Sequence, residues 1–256
     1  MTMPIRPYIL AETNWKSVKE TKYNVAILPW AATEAHNYHL PYSTDTIECD
    51  HIAAESAKRA WDAGAKVLVL PTVPFGVQSG QLDIPFCLHI NPSTQAAILL
   101  DIALVLQRHG VQKLVILNGH GGNDFKTIIR ELQPKLKIFL CSLNWYTAAP
   151  PKQFFTEPGD HAGELETSMI MHIAPDLVLS LDQAGTGEEK RYNIEGFRNG
   201  LAWAPRQWTK ISKDTGVGNP KDATADKGKK FSDAASEKIA AFLVDLVKTD
   251  VNDLYE

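Results

Sequence analysis

The sequence predicts an α/β fold built on a mostly parallel sheet covered by helices on both faces. Short apolar runs rich in β-branched residues recur along the chain, as strands buried on both faces require. Stretches with apolar residues at helical spacing alternate with them, which argues for parallel strands joined by helical crossovers. Gly or Pro closes most of these segments.

Taken in order, Asn24–Pro29 (NVAILP) reads as a buried strand ending in its proline. Thr46–Ala63 carries Ile47, Ile52, Ala53, Ala57, Ala60 and Trp61 at helical spacing and stops at Gly64. Lys66–Leu70 (KVLVL) is the second strand, stopped by Pro71. Ser93–His109 opens on a Ser-Thr cap and ends at Gly110, as a heavily buried helix. Lys113–Leu117 (KLVIL) is the third strand, Asn123–Leu132 a helix and Leu136–Leu140 the fourth strand. Glu164–Ile173 is a helix ended by Ala174-Pro175, and Phe231–Lys248 is a long amphipathic helix. Residues 184–226, rich in Gly, Lys, Asp and Asn, read as a loop-rich excursion within a single domain spanning 1–256. No repeat with a period typical of solenoids is present.

Composition narrows the function. The chain has 256 residues, 44% of them hydrophobic and 22% charged, and a net charge of −4. A pI of 6.1 without a basic excess argues against a nucleic-acid partner. The N-terminus, MTMPIRPY, has no apolar core of signal-peptide length, and the longest apolar run is broken by Asp101. No membrane partner is expected. Cys49, Cys87 and Cys141 form no CxxC pair, which fits a reducing cytoplasm.

In open parallel sheets ligands bind at the carboxyl ends of the strands. The sequence places carboxylates and imidazoles there. Glu34 and His36 follow the first strand two residues apart, so in extended backbone they point to one side. Asp45 precedes the next helix, where it can cap it, bind a ligand, or do both through separate oxygens. The Asn118–Asn123 turn (NGHGGN) carries His120 but matches neither GxGxxG nor a P-loop. Its glycines let the backbone fold tightly around His120. His161, Glu164 and Glu166 gather at the start of a later helix, where glutamates also complement the helix dipole. His39 lies near the first cluster. His51, His89, His109 and His172 read as structural or solvated.

Four segments together carry a resemblance: PWAATEAH (29–36), HLPYSTDT (39–46), LNGHGGN (117–123) and HAGELETS (161–168). In order and spacing they resemble the creatininase (creatinine amidohydrolase) family, over residues 26–178. The resemblance implies a three-layer α/β/α fold, a binuclear metal centre, hydrolysis of amide C–N bonds in small substrates and a homo-oligomer, commonly a hexamer. It implies that Glu34 and His120 bind one metal, that His36 binds the other and that Asp45 bridges them. His161 would match the family's catalytic histidine and Glu166 its catalytic glutamate. Where creatininase proper has a glutamate two residues after the ligand histidine, this chain has Gly122. Glu164, the nearest carboxylate in a matching motif, is the expected substitute; it and Glu166, two apart near a helix start, point in different directions, so only one of them reaches the metals. Gly121 and Glu157 replace aromatic residues of creatininase proper, which argues for a small neutral or cationic amide other than creatinine. Trp145, Trp203 or Trp208 could fold in to replace those walls.

The mixed imidazole and carboxylate set suits two divalent ions, with zinc the leading expectation and manganese or iron also fitting. Such a pair can hold a bridging hydroxide that attacks the amide carbonyl, with no Ser or Cys nucleophile. His161 would serve the oxyanion or the leaving nitrogen, and Glu166 would orient it. The rival reading is a non-hydrolytic nucleotide-binding or assembly protein on the same α/β fold.

Overall fold

A computed structural model describes residues 5–255. Met1–Pro4 and Glu256, the ends of the expected 1–256 unit, lie outside the described residues. Strands β1 (Val25–Trp30), β2 (Val67–Val69), β3 (Lys113–Asn118) and β4 (Phe139–Asn144) form one sheet in the order β2-β1-β3-β4. Every pairing is parallel, with Val25 opposite both Val67 and Lys113, and Lys113 opposite Phe139. The fold is α/β, with helices on both faces of this sheet.

Alternation along the strands divides the core. Val25, Ile27, Val115 and Leu117 point to one face. There they meet helices α2 (Thr44–Asp62), α5 (Glu164–Ile173) and α8 (Ala225–Lys248), which also pack on one another. Ala26, Leu28, Trp30, Leu114 and Ile116 point to the other face, beneath α3 (Pro92–Arg108) and α4 (Phe125–Leu132). Both faces are dry, which explains why the strands read as unbroken apolar runs. Phe231 of α8 is fully buried, with ring centroids 5.2 Å from Phe155 and 5.4 Å from Phe154. Truncating such a side chain to Ala costs about 3–5 kcal/mol. Where α8 crosses α5, Gly228 sits against the Ser168 carbonyl so closely that a Cβ would collide with it.

Several segments depart from the sequence expectation: α3 starts at Pro92 behind Asn91, without the Ser-Thr cap, and α4 starts at Phe125 behind Asp124. β4 begins at Phe139 instead of Leu136, because the Lys137 and Ile138 amides donate to Gln107 Oε1 and not to the ladder. The α8 helix begins at Ala225, two turns before Phe231. Its first turns are polar and carry no apolar period, but Thr224 caps them by accepting from the Lys227 amide at 3.3 Å. A short helix, α1 (Trp15–Glu20), is set by Asn14, whose side chain accepts from the Ser17 amide. Two further short helices, α6 (Glu195–Arg198) and α7 (Trp208–Ile211), lie in the 184–226 excursion. Among the described residues, no helix is long and apolar enough to cross a membrane.

The strand order locates the site. The chain passes from β1 to β2 on one side, then returns across β1 to β3 on the other. The carboxyl ends of β1 and β3 therefore flank the point where strand order reverses, the usual ligand crevice of such sheets.

Candidate metal centre

The loop after β1 delivers Glu34 and His36 to that crevice, and the turn after β3 delivers His120. Asp45 enters from the first turn of α2. His161 and Glu166 enter from the start of α5. His36 Nε2 is 2.9 Å from Asp45 Oδ1, and His120 Nδ1 is 3.2 Å from Asp45 Oδ2. His120 Nδ1 is also 2.9 Å from Glu34 Oε1. Glu166 Oε2 lies 4.0 Å from His36 Nε2, and His161 Nδ1 lies 3.8 Å from Glu34 Oε1. Glu34, His36, Asp45, His120 and His161 are all buried, and Glu166 is partly so.

Backbone carbonyls orient the three imidazoles. His36 Nδ1–H donates to the Glu34 carbonyl at 3.1 Å, His120 Nε2–H to Val77 at 3.1 Å and His161 Nε2–H to Ala35 at 2.8 Å. A carbonyl can only accept, so each ring's tautomer is fixed and its other nitrogen faces the carboxylates. This is the arrangement by which metal-ligating histidines are held. The Asn118 carboxamide fastens the His120 turn, accepting from the His120 amide and donating to the His120 carbonyl.

Charge pairing inside the cluster is strong. Burial alone would lower the His36 pKa, but the Asp45 carboxylate outweighs it and raises it to about 10. His120 is likewise lifted well above an ordinary histidine by Glu34 and Asp45, against its burial. The same imidazoles hold Asp45 and Glu34 below the usual carboxylate range, although burial opposes this. Burial raises Glu166, with His36 partly offsetting it. His39 is pushed down to about 4 by burial and by His36, so it stays neutral beside Thr167 Oγ1, 2.9 Å away.

The donor set fits divalent metal ions. Two clusters of ligand atoms, Glu34–Asp45–His120 and His36–Asp45–Glu166, each gather within 4.8 Å and share Asp45. A third, Glu34–His36–His161, overlaps both. His36 Nε2 and Asp45 Oδ2 are buried without any hydrogen-bond partner. A buried ring nitrogen facing a buried carboxylate is costly unless a positive charge, a proton or a metal ion, sits between them.

The structure does not bring Glu164 into this constellation. Its Oε1 accepts from Lys227 Nζ of α8 at 2.5 Å, and its Oε2 accepts from the Glu157 amide at 2.8 Å. Residues two apart on the first turn of α5 do diverge, but Glu166 is the one that faces the crevice. Asp45 is not the α2 cap: the cap position is Ser43, and Asp45 stands in the first helical turn with its carboxylate toward the imidazoles. A Cβ at Gly122 would collide with the Val77 carbonyl and the His120 ring, so a side chain there is incompatible with this turn.

Of the supporting residues around the cluster, the sequence pointed to Trp203 and Trp208 but not to Gln81 or Val217. Gln81 Nε2 donates to Glu34 Oε2, and nothing in the composition of its loop marks it. Trp208 lies edge-on to His161, with ring centroids 4.8 Å apart. The excursion also fixes His161 through paired backbone bonds with Val217. Above the cluster opens a cavity of about 500 Å³, walled by Gln81, Tyr146, Trp203, Arg206 and Trp208. Its size suits a small organic molecule. Trp145, by contrast, is buried in the core.

The chain resembles known proteins over most of its length. The profile of the creatininase family, described as creatinine amidohydrolase, matches residues 11–243. Creatinine amidohydrolase of Pseudomonas putida is 28% identical over 60% of this chain and 66% of its own length. A mycofactocin precursor peptide peptidase of Mycolicibacterium smegmatis is 26% identical over 61% of this chain and 60% of its own. The chain thus spans a little under two thirds of these curated relatives. The crystal structure of a creatinine amidohydrolase candidate from Bacteroides fragilis is 45% identical, with a TM-score of 0.92, covering 99% of this chain and 100% of that one. A zinc–zinc form of a creatininase variant shares the fold at 23% identity and a TM-score of 0.76, over 93% of this chain and 97% of that one. With the family profile covering most of its length, this chain belongs to the creatininase family.

Proposed function

We propose that this protein is a metal-dependent amidohydrolase that cleaves a C–N amide bond of a small substrate at a binuclear centre. The observation that carries the reading is Asp45, whose two oxygens face two different imidazoles, His36 at 2.9 Å and His120 at 3.2 Å. On this reading Glu34 and His120 hold one ion, His36 and Glu166 hold the other, and Asp45 serves both. Glu166 takes the ligand role expected of Glu164, because its carboxylate faces His36 while that of Glu164 is engaged by Lys227. Divalent ions held there would polarise the substrate carbonyl and render a water acidic enough to attack it near neutral pH.

The chain's own residues supply the rest. With His161 Nε2–H committed to the Ala35 carbonyl, Nδ1 is the atom free to carry a proton to the leaving nitrogen or to stabilise the oxyanion. Trp208 packs on that ring and keeps water from one side of it. Gln81 holds Glu34 in place from outside the cluster. The relatives named above are a creatinine amidohydrolase and a precursor-peptide peptidase, which supports an amide substrate here whose remaining parts the cavity walls would select. The reading also carries two expectations: a reducing cytoplasm, from the cysteine pattern, and a homo-oligomer, commonly a hexamer, from the family resemblance.

The test is elemental analysis of protein purified without chelator, followed by a screen of creatinine, formamides, lactams and short peptides. About two ions per chain, with turnover that chelation abolishes and metal restores, is the expected result. Metal-free protein that binds none on titration would overturn the reading.

A further inference from the structure

Beside the reaction cavity lies a second one, of about 890 Å³, that shares Ser79, Gly80, Pro205 and Arg206 with it. Lys190, Arg191 and Lys210 also line this second cavity, and no carboxylate does. In a chain with more acidic than basic residues, such a one-sided lining is not the average surface. Arg206 is already committed. Its guanidinium meets Asp160 at 2.5 Å and Glu189 at 3.7 Å, and it stacks on Trp208 with its centre 4.7 Å from the ring. Among the described residues, Lys190, Arg191 and Lys210 have no carboxylate within ion-pair distance.

The backbone around these cations is fastened. The Lys190 amide donates to the Ile211 carbonyl at 2.7 Å, which places the Lys190 and Lys210 segments side by side. Tyr192 Oη donates to the Ala204 carbonyl at 2.9 Å. The Trp208 amide donates to the Gly80 carbonyl at 3.0 Å, which ties the excursion to the wall of the reaction cavity. Three unpaired cations on a braced frame, next to a site for amide chemistry, are placed to read an anion.

We infer that the second cavity is a substrate subsite in which Lys190, Arg191 and Lys210 bind an oxyanion group, a carboxylate or a phosphate, at the end of the substrate remote from its scissile amide. This deepens the amidohydrolase reading and rests on it. It also replaces the neutral or cationic substrate that the sequence suggested. Arg206, held between Asp160 and Trp208, stands at the threshold between the two cavities and positions the chain of the substrate that crosses it.

The experiment has two arms on the metal-loaded protein. The first compares kcat/KM for formamides that differ only in an alkyl, carboxylate or phosphate tail, in the wild type and in a Lys190→Ala/Arg191→Ala/Lys210→Ala variant of matched metal content. An anionic tail should be preferred by roughly tenfold or more, and the preference should vanish in the variant. Whichever anion is preferred identifies the source. Equal turnover of all tails in the wild type, or a preference that survives in the variant, overturns the inference and leaves the hydrolase reading standing. The second arm titrates inorganic phosphate and acetate calorimetrically. Should no formamide be turned over, binding present in the wild type and lost in the variant supports the subsite while the hydrolase reading fails. Binding equal in both, or absent from both, overturns it. Lys210→Glu serves as a single-site check, with weakened anion binding expected.

Discussion

His36 Nε2 and Asp45 Oδ1 lie 2.9 Å apart in a fully buried setting, yet His36 Nε2 makes no hydrogen bond. Groups held this close, each with its own outer support, need a positive charge between them, a shared proton in the free protein or a metal ion in the loaded one. The other oxygen of Asp45, itself without a hydrogen bond, lies 3.2 Å from His120 Nδ1. Asp45→Ala should therefore remove both ions, since one side chain serves both positions. Elemental analysis of the variant beside the wild type checks this. Retention of one ion, or of two, would mean that Asp45 is no bridge.

Metal uptake should be coupled to proton release. Without metal, His36 has a pKa near 10 and His120 sits well above an ordinary histidine, so both rings are protonated at neutral pH. Metal binding needs their neutral forms. Loading at pH 7.5 should thus release up to about two protons per chain, and apparent affinity should climb with pH until His36 titrates. The sign for stability is the reverse. These are raised histidine pKa values, so the metal-free fold gains from the charged pairs below the unfolded value and loses that gain as pH rises through the folded one. Calorimetry in buffers of different ionisation enthalpy measures the release. An affinity indifferent to pH between 6 and 9 would contradict it.

Gly122→Glu should not rebuild the ligand that creatininase proper carries at this place. A Cβ there meets the Val77 carbonyl, and that carbonyl holds His120 Nε2–H at 3.1 Å. The substitution should displace His120, lower metal content and cost about 1–3 kcal/mol, as overpacking usually does. A variant with full metal content and unchanged melting temperature would show that the turn can yield.

Much of this was legible because strands and site obey local rules. KVLVL and KLVIL are buried on both faces, and the residues that follow strand ends are few and chemically conspicuous. The start of α8 was not legible, because ADKGKK carries no apolar period and its helix is set by a Thr224 cap and by packing against α5. The choice between Glu164 and Glu166 was not legible either. The sequence shows that they diverge, but only the position of Lys227, on a helix 63 residues away in sequence, decides which one turns inward. Gln81 was invisible for a similar reason: its partner, Glu34, is reached through the fold of the β2–α3 connection.

His161→Ala should keep both ions and lose most turnover. Its Nδ1 is 3.8 Å from Glu34 Oε1, and its ring stacks with His36 at a centroid distance of 4.2 Å, close to the centre without belonging to either Asp45-sharing group. A positioned acid–base group contributes about 10²–10⁴-fold. Metal content should match the wild type while kcat falls by that range at unchanged metal occupancy. Loss of an ion in this variant would make His161 a ligand instead.

The two glutamates of α5 give the sharpest contrast. Glu166→Gln replaces a carboxylate that faces His36 with a weaker donor. The ion on the His36 side should bind at least about tenfold more weakly, as ligand-sphere changes typically cause. Glu164→Gln should leave both ions in place, because its carboxylate points to Lys227 and the Glu157 amide. What it removes is the counter-charge of Lys227 at a buried position, worth about 1–3 kcal/mol. At roughly 2–4 °C per kcal/mol for a chain of this size, the melting temperature should drop measurably while metal content does not. Glu166→Gln should show the opposite pattern: depleted metal, with the Lys227 pair intact. If the metal loss falls on Glu164→Gln instead, the ligand assignment returns to Glu164 and the helix must turn its other side to the ions in the loaded protein.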